Sequence, residues 1–233
     1  MMRMSTSSST LKIVAIIGMT CNHAAWIFAD QLSFPLYCIL EGLGGLTFPI
    51  MAFLIAEGWR HTSNCKRYLI RLAVFAVVSQ APFWLFLGQD LNVMFTLLIG
   101  LALLHLYSTM KNRIAWGGVV VAGTLVSSIC DWGIIGVPMI LIAGLLPTVR
   151  DRALYSALLP FAAFGIPAVL ALLEGNPAAL PSLLYALGSG TAGVLMCCYN
   201  GQRGMSLKWF FYVYYPAHIA LLGIIHIMLV PVA

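Results

Sequence analysis

The chain reads as an all-α, polytopic transmembrane helical bundle of about nine helices, and three observations carry that reading. Hydrophobic residues fill 61% of the 233 positions and charged residues only 8%, against roughly 25% charged in an ordinary soluble domain. Hydropathy cuts the chain into about nine apolar spans, each near the roughly 20 helical residues that cross a hydrocarbon core about 30 Å thick. Finally, all twelve Lys and Arg residues fall in alternate gaps between spans. Translocating Lys or Arg is disfavoured, so this segregation predicts a cytoplasmic N-terminus and a periplasmic C-terminus.

Taken in order, the predicted spans are approximately 11–29, 36–58, 68–88, 92–110, 114–130, 132–147, 153–173, 177–199 and 209–231. A short cytoplasmic tail, 1–10, precedes one membrane domain, 11–233. The first span follows Arg3, Lys12 and a Ser/Thr run that resembles a signal n-region. It carries Asn22 and His23 in its middle and no clear small-x-small cleavage site, so a retained helix is expected. Arg60, Lys66, Arg67 and Arg71 mark the inner gap after the second span, Lys111 and Arg113 the next, Arg150 and Arg152 the third, Arg203 and Lys208 the last. The outer gaps hold Asp30, Asp90, Asp131 and Glu174. The fifth and sixth spans are short and meet at Cys130-Asp131-Trp132-Gly133, as a tight hairpin or with one of them re-entrant. Two crossings keep both flanking basic pairs inside. Trp26, Tyr37, Trp59, Trp84, Trp116 and Trp209 sit near span ends, as interfacial aromatics do. Gly42-Leu43-Gly44-Gly45, Gly117-Gly118 and Gly188-Ser189-Gly190 suit close helix packing and leave room for a homodimer.

Composition also excludes functions. The pI near 9.0 comes from juxtamembrane clusters, which mean orientation and anionic-lipid contact rather than nucleic-acid binding. Six cysteines show no metal-ligand spacing. Cys38 and Cys130 fall near the outer side, where a disulfide is chemically permitted. No internal repeat and no clearly broken helix pair supports an inverted-repeat transporter.

Polar residues at membrane depth carry the functional argument. At 1.5 Å rise per residue, His23 and Gln80 lie about 18 Å, and His218 about 15 Å, from the inner ends of their spans. Glu41 falls further out and Glu57 near the inner end of the second span. Ionisable groups inside a bilayer cost at least ~2.5–3.5 kcal/mol and face the bundle interior, where they mark pathways and reaction sites. Interhelical hydrogen bonding alone, worth about 0.6 kcal/mol, is the structural alternative. It leads for His105 and His226, near the ends of their spans. The cluster Arg60, His61, Lys66, Arg67 and Arg71 satisfies the positive-inside rule. It also suits the phosphates of a cytoplasmic donor such as coenzyme A.

The run Phe48-Pro49-Ile50-Met51-Ala52-Phe53-Leu54-Ile55-Ala56-Glu57-Gly58-Trp59-Arg60-His61-Thr62 resembles the TraX family of pilin N-acetyltransferases. So do Lys66-Arg67-Tyr68-Leu69-Ile70-Arg71-Leu72, Ser79-Gln80-Ala81-Pro82-Phe83, Asn92-Val93-Met94-Phe95-Thr96-Leu97, Asn22-His23 and Tyr214-Tyr215-Pro216-Ala217-His218. The likeness runs from the first span to the last and is thin between about 145 and 205. It implies a bacterial inner-membrane enzyme, within the broader class of multi-span membrane acyltransferases, that acetylates the amino terminus of pilin from acetyl-CoA. No metal is expected. The family's usual Asp before the His is Asn22 here, which cannot stabilise an imidazolium as a carboxylate does.

On this reading His23 serves as general base or transient acyl carrier, with Asn22, His218, Gln80 and Glu57 as its catalytic partners. Arg60, His61, Lys66, Arg67 and Arg71 hold the donor; Asn92, Asp131 and Glu41 contact the acceptor, whether pilin or another acyl acceptor such as a glycan. The competing readings are a small membrane transporter and a non-catalytic pilin-assembly partner.

Overall fold

The computed structural model describes residues 5–88, 90–206 and 208–229. Arg3, the last residues of the ninth predicted span and the side chain of Lys208 lie outside the described residues. The helices are α1 (Ser8–Ile27), α2 (Phe34–Gly44), α3 (Thr47–His61), α4 (Cys65–Phe86), α5 (Val93–Thr109), α6 (Arg113–Val126), α7 (Gly133–Leu145), α8 (Val149–Pro160), α9 (Ile166–Leu173), α10 (Leu180–Cys197) and α11 (Lys208–Leu229). Because α2 continues into α3 and α8 into α9, the described residues form nine rods, matching the nine predicted spans. Six rods are long and apolar enough to cross a membrane. The protein is a multi-pass membrane protein.

Local chemistry sets the helix starts. Ser7, Asn64, Asn92, Asn112 and Thr148 each accept a backbone N–H of the following turn with their side-chain oxygen, satisfying amides that a helix start leaves without partners. The three shorter rods are α5, α6 with its 3₁₀ extension to Ile129, and α7. At 1.5 Å per residue α7 reaches only about 20 Å. It sits inside the bundle against α3, α5 and α8, and Val137, Met139, Ile140 and Ala143 are fully buried. Cys38 and Cys130 are buried free thiols.

The second span departs from the continuous helix expected. It breaks at Gly45-Leu46, between α2 and α3. The Tyr185 carbonyl of α10 presses on Gly45 so closely that a Cβ would overlap it, and Ser189 Oγ donates to the Gly45 carbonyl at 3.0 Å. A backbone break at membrane depth is tolerated only where protein re-satisfies the freed groups, and α10 does so here. Gly188 in turn packs on the Gly42 carbonyl, whereas Gly117 and Gly118 face open space. Two of the three small-residue clusters thus serve helix contact within this chain.

Charge segregation becomes two ends of the bundle. At the basic end Ser8 N–H donates to the Gln202 carbonyl at 2.8 Å, and Arg60 donates to the Gly144 and Leu146 carbonyls at 2.6 and 2.9 Å. At the acidic end Leu91 bridges the 129–131 turn through Leu91 N–H to the Ile129 carbonyl, 2.9 Å, and Asp131 N–H to the Leu91 carbonyl, 2.6 Å. The first and last rods run parallel: Lys12 lies over the Phe211 ring, Thr20 meets Tyr214, His23 meets His218 and Phe28 meets His226.

Glu57 forms a buried ion pair with Arg152 of α8, and both side chains are less than a tenth exposed. Removing one partner strands the other charge. Glu57→Gln and Arg152→Met are each expected to destabilise the protein by about 3–5 kcal/mol, with the double variant recovering most of that loss. Thermal unfolding in detergent reads the difference.

Candidate active site

His23 and His218 face each other in the bundle interior, 7% and 5% exposed. His218 Nδ1 lies 2.8 Å from the Tyr214 carbonyl oxygen. A carbonyl only accepts, so that nitrogen carries the proton and a neutral His218 leaves Nε2 bare. His23 Nδ1 sits 2.7 Å from His218 Nε2 and is therefore the donor. The chain of bonds ends with a bare lone pair on His23 Nε2, the polarity a general base or nucleophile requires. Stacking holds the geometry. The His23 and His218 rings are 4.9 Å apart and the Tyr214 and His218 rings 4.8 Å, both pairs with nearly parallel planes. Thr20 Oγ1 lies 2.7 Å from the Tyr214 hydroxyl, tying α1 to α11 one turn earlier. The orienting group is thus a second imidazole backed by a carbonyl.

Two cavities meet at His23. The inner one, about 310 Å³, opens among Lys12, Thr62, Arg71 and Arg203 at the basic end and descends past Met19, Met51, Leu72, Met94 and Leu97. The outer one, about 620 Å³, is lined by Trp26, Glu41, Asp90, Ser128 and Cys130 at the acidic end. Asn22, His23, Asp131, Trp132 and Tyr185 line both. Trp132 holds its place in the partition with a left-handed backbone, φ 71°, and stacks on Phe48 at 4.1 Å.

The structure brings some predicted site residues to this junction and keeps others away. Asn22 turns to the outer cavity, where its amide donates to Glu41 Oε1 at 3.1 Å, and Trp26 Nε1 donates to the same oxygen at 2.8 Å. Equal depth does not bring Gln80 to the histidines. It faces α5, accepting from Asn92 N and Nδ2 at 3.0 and 2.8 Å and donating to the Asp90 carbonyl at 2.9 Å. Asn92 is fully buried and caps α5. Glu57 is held by Arg152, with His61 at 3.5 Å, and lines neither cavity. Of the five cations assigned to a donor, only Arg71 lines the inner cavity. Arg60 caps carbonyls at the C-terminal end of α7, while His61, Lys66 and Arg67 are exposed.

Sequence reasoning missed Lys12, Arg203, Trp132, Tyr185 and Tyr215, all of which line the inner cavity. Lys12 and Arg203 were legible as span-flanking cations, but only the fold converges loops so distant in sequence. Among the described residues, no three His, Cys, Asp or Glu side chains converge as metal ligands would.

The sequence model of the family described as "TraX protein" matches residues 7–226. The chain belongs to the TraX family. A relative, the probable fimbrial assembly protein FimC, serogroup H1, of Dichelobacter nodosus, is 33% identical over 239 residues, covering 93% of this chain and 94% of its own. No solved structure matches. The family match spans both histidines and both cavities of this TraX-family chain.

Two measurements test this geometry. Imidazole ¹⁵N spectra are expected to show Nδ1–H on both His23 and His218; an Nε2–H signal for His218 overturns the proton order. Asp131, in the α6–α7 turn, is pushed up from 3.8 to about 6, chiefly by burial and further by Asp90, against a backbone hydrogen bond from Trp132. Its folded-state pKa exceeds the unfolded one, so the protonated form favours folding. Stability is therefore highest below pH about 4 and falls as pH rises through about 6. Asp131→Asn flattens the thermal midpoint across that window.

Proposed function

We propose that this protein is an acetyltransferase of the bacterial inner membrane that moves an acetyl group from cytoplasmic acetyl-CoA to the N-terminal amine of pilin. One observation carries the reading: His23, whose Nδ1 is taken up by His218, lines both a basic cavity and an acidic cavity, each reaching toward a different end of the bundle. The positive-inside rule assigns the basic end to the cytoplasm.

The donor's phosphates pair with Lys12, Arg71 and Arg203 at the inner mouth, with Lys66 and Arg67 exposed nearby in sequence. Arg supplies a bidentate fork and Lys a point charge for such groups. The apolar shaft below the mouth suits the pantetheine arm and carries the thioester toward His23. From the other side, Glu41, Asp90 and Asp131 favour a protonated amine, and no Lys or Arg lines the outer cavity among the described residues.

At the junction the amine gives up its proton to bulk water through the outer cavity and attacks the thioester carbonyl. His23 Nε2 accepts the second amine proton as the C–N bond forms. The His218–Tyr214 relay stabilises the resulting imidazolium in place of the carboxylate that Asn22 does not supply. The C–S bond then breaks, and the proton on His23 neutralises the departing thiolate.

The name of the Dichelobacter relative favours a second reading, a non-catalytic partner in pilus assembly. Mass spectrometry of pilin from cells with and without this protein separates the two. Acetylation adds about 42 Da at the pilin N-terminus, and that increment is expected to vanish with His23→Ala while the protein still inserts. Unmodified pilin in both cell types supports the assembly partner. Separately, coenzyme A is expected to raise the melting temperature of purified protein, and Lys12→Gln with Arg71→Gln to cancel that shift. An unchanged shift in the double variant removes these cations from the donor site.

A further inference from the structure

Tyr215 is 4% exposed and lines the inner cavity, and its hydroxyl has no hydrogen-bond partner in the protein. A buried, unpaired hydroxyl costs roughly 1–3 kcal/mol relative to a paired one, a cost that phenylalanine would avoid. Such a group in a native site points to a partner that arrives with a ligand. The Val93 amide approaches the same oxygen without closing a hydrogen bond. Val93 is the first residue of α5 and also lines the cavity. The side chain of Asn92 accepts from Met94 N–H rather than from Val93, so the Val93 N–H is one of the amides a helix start leaves open. It lies at the positive end of the helix dipole. Neighbouring this pair is the base: the Tyr215 and His23 rings are 6.0 Å apart.

We propose that the Tyr215 hydroxyl and the Val93 amide form an oxyanion site for the thioester carbonyl of the acyl donor, beside His23. The assignment rests on the acetyl-transfer reading above. When the amine nitrogen bonds to the carbonyl carbon, the C=O π pair moves onto oxygen, and Tyr215 O–H and Val93 N–H donate to that oxyanion. His23 Nε2 holds the amine proton. As the oxyanion collapses, C=O reforms, C–S breaks and the thiolate leaves with the proton from His23. Tyr215 keeps its own proton throughout, so the step balances without any further reactant. Donors fixed in a low-dielectric site act most strongly on charge that develops in the transition state.

The test is Tyr215→Phe in the full-length protein in detergent, with acetyl-CoA and a peptide carrying the pilin N-terminus. The variant is expected to lose about 10²–10³-fold in kcat, with KM for acetyl-CoA within two-fold and a melting temperature equal to or above that of the parent. A trifluoromethyl-ketone analogue of acetyl-CoA, which forms a tetrahedral adduct, is expected to bind the variant at least ten-fold more weakly, while coenzyme A itself binds both equally. If Tyr215→Phe retains parental kcat while His23→Ala is inactive, the oxyanion assignment falls and the acetyltransferase reading stands. If the parent protein itself transfers no acetyl group from acetyl-CoA, both fall. If loss of activity comes with equal loss of coenzyme A binding or of stability, Tyr215 is a packing residue and the assignment falls.

Discussion

A polar side chain surrounded by hydrocarbon has no water to bond, so it must find a protein partner or face an internal cavity. That constraint arranges this bundle. Gln80 closes on Asn92 and the Asp90 carbonyl, Glu57 on Arg152, Glu41 on Asn22 and Trp26, and Ser189 on the Gly45 carbonyl. Each contact joins two rods and fixes their register. Against that background the buried Tyr215 hydroxyl stands out as a group with no protein partner, and both Tyr215 and His23 line the inner cavity.

The imidazole pair also determines how the first and last rods meet. Stacking of Tyr214, His218 and His23 and the Thr20–Tyr214 contact hold α1 and α11 parallel. The two cavities converge on that seam, and Trp132 closes the partition from the opposite side with Phe48 behind it. Asn22, His23, Asp131, Trp132 and Tyr185 line both cavities and so form the boundary between the basic and the acidic end.

Much of this was legible in the sequence, for physical reasons that can be named. Apolar runs must match the bilayer, so nine spans emerged as nine rods, and span ends shifted by only a few residues, as with 36–58 against Phe34–His61. Positive charge gathers on one side, so Lys12, Arg71 and Arg203 were bound to share an end of the bundle. Depth counting put His23 and His218 at one level, and they touch. The same counting put Gln80 there too and failed, because depth says nothing about which face of α4 a residue occupies. Gln80 turns to the start of α5 because Asn92 there presents donors that need an acceptor. The break at Gly45 was invisible for a related reason. Glycine in an apolar run marks close packing, but only the fold shows that the Tyr185 carbonyl and Ser189 of α10 are what pack there.

What the sequence determined by itself is therefore one-dimensional: span number, span length, sidedness of charge, and the depth of each polar group. Those follow from the thickness of the hydrocarbon core and the cost of moving charge across it, which act on every residue regardless of neighbours. The tertiary structure decided everything that depends on azimuth. It chose Arg71, Lys12 and Arg203 over Arg60, Lys66 and Arg67 as cavity cations, gave Glu57 to Arg152, and oriented the two imidazoles so that His23 Nε2 stays free. Rotation about a helix axis is set by which side chains interlock with neighbouring rods, and partners so far apart in sequence meet only when the bundle has closed.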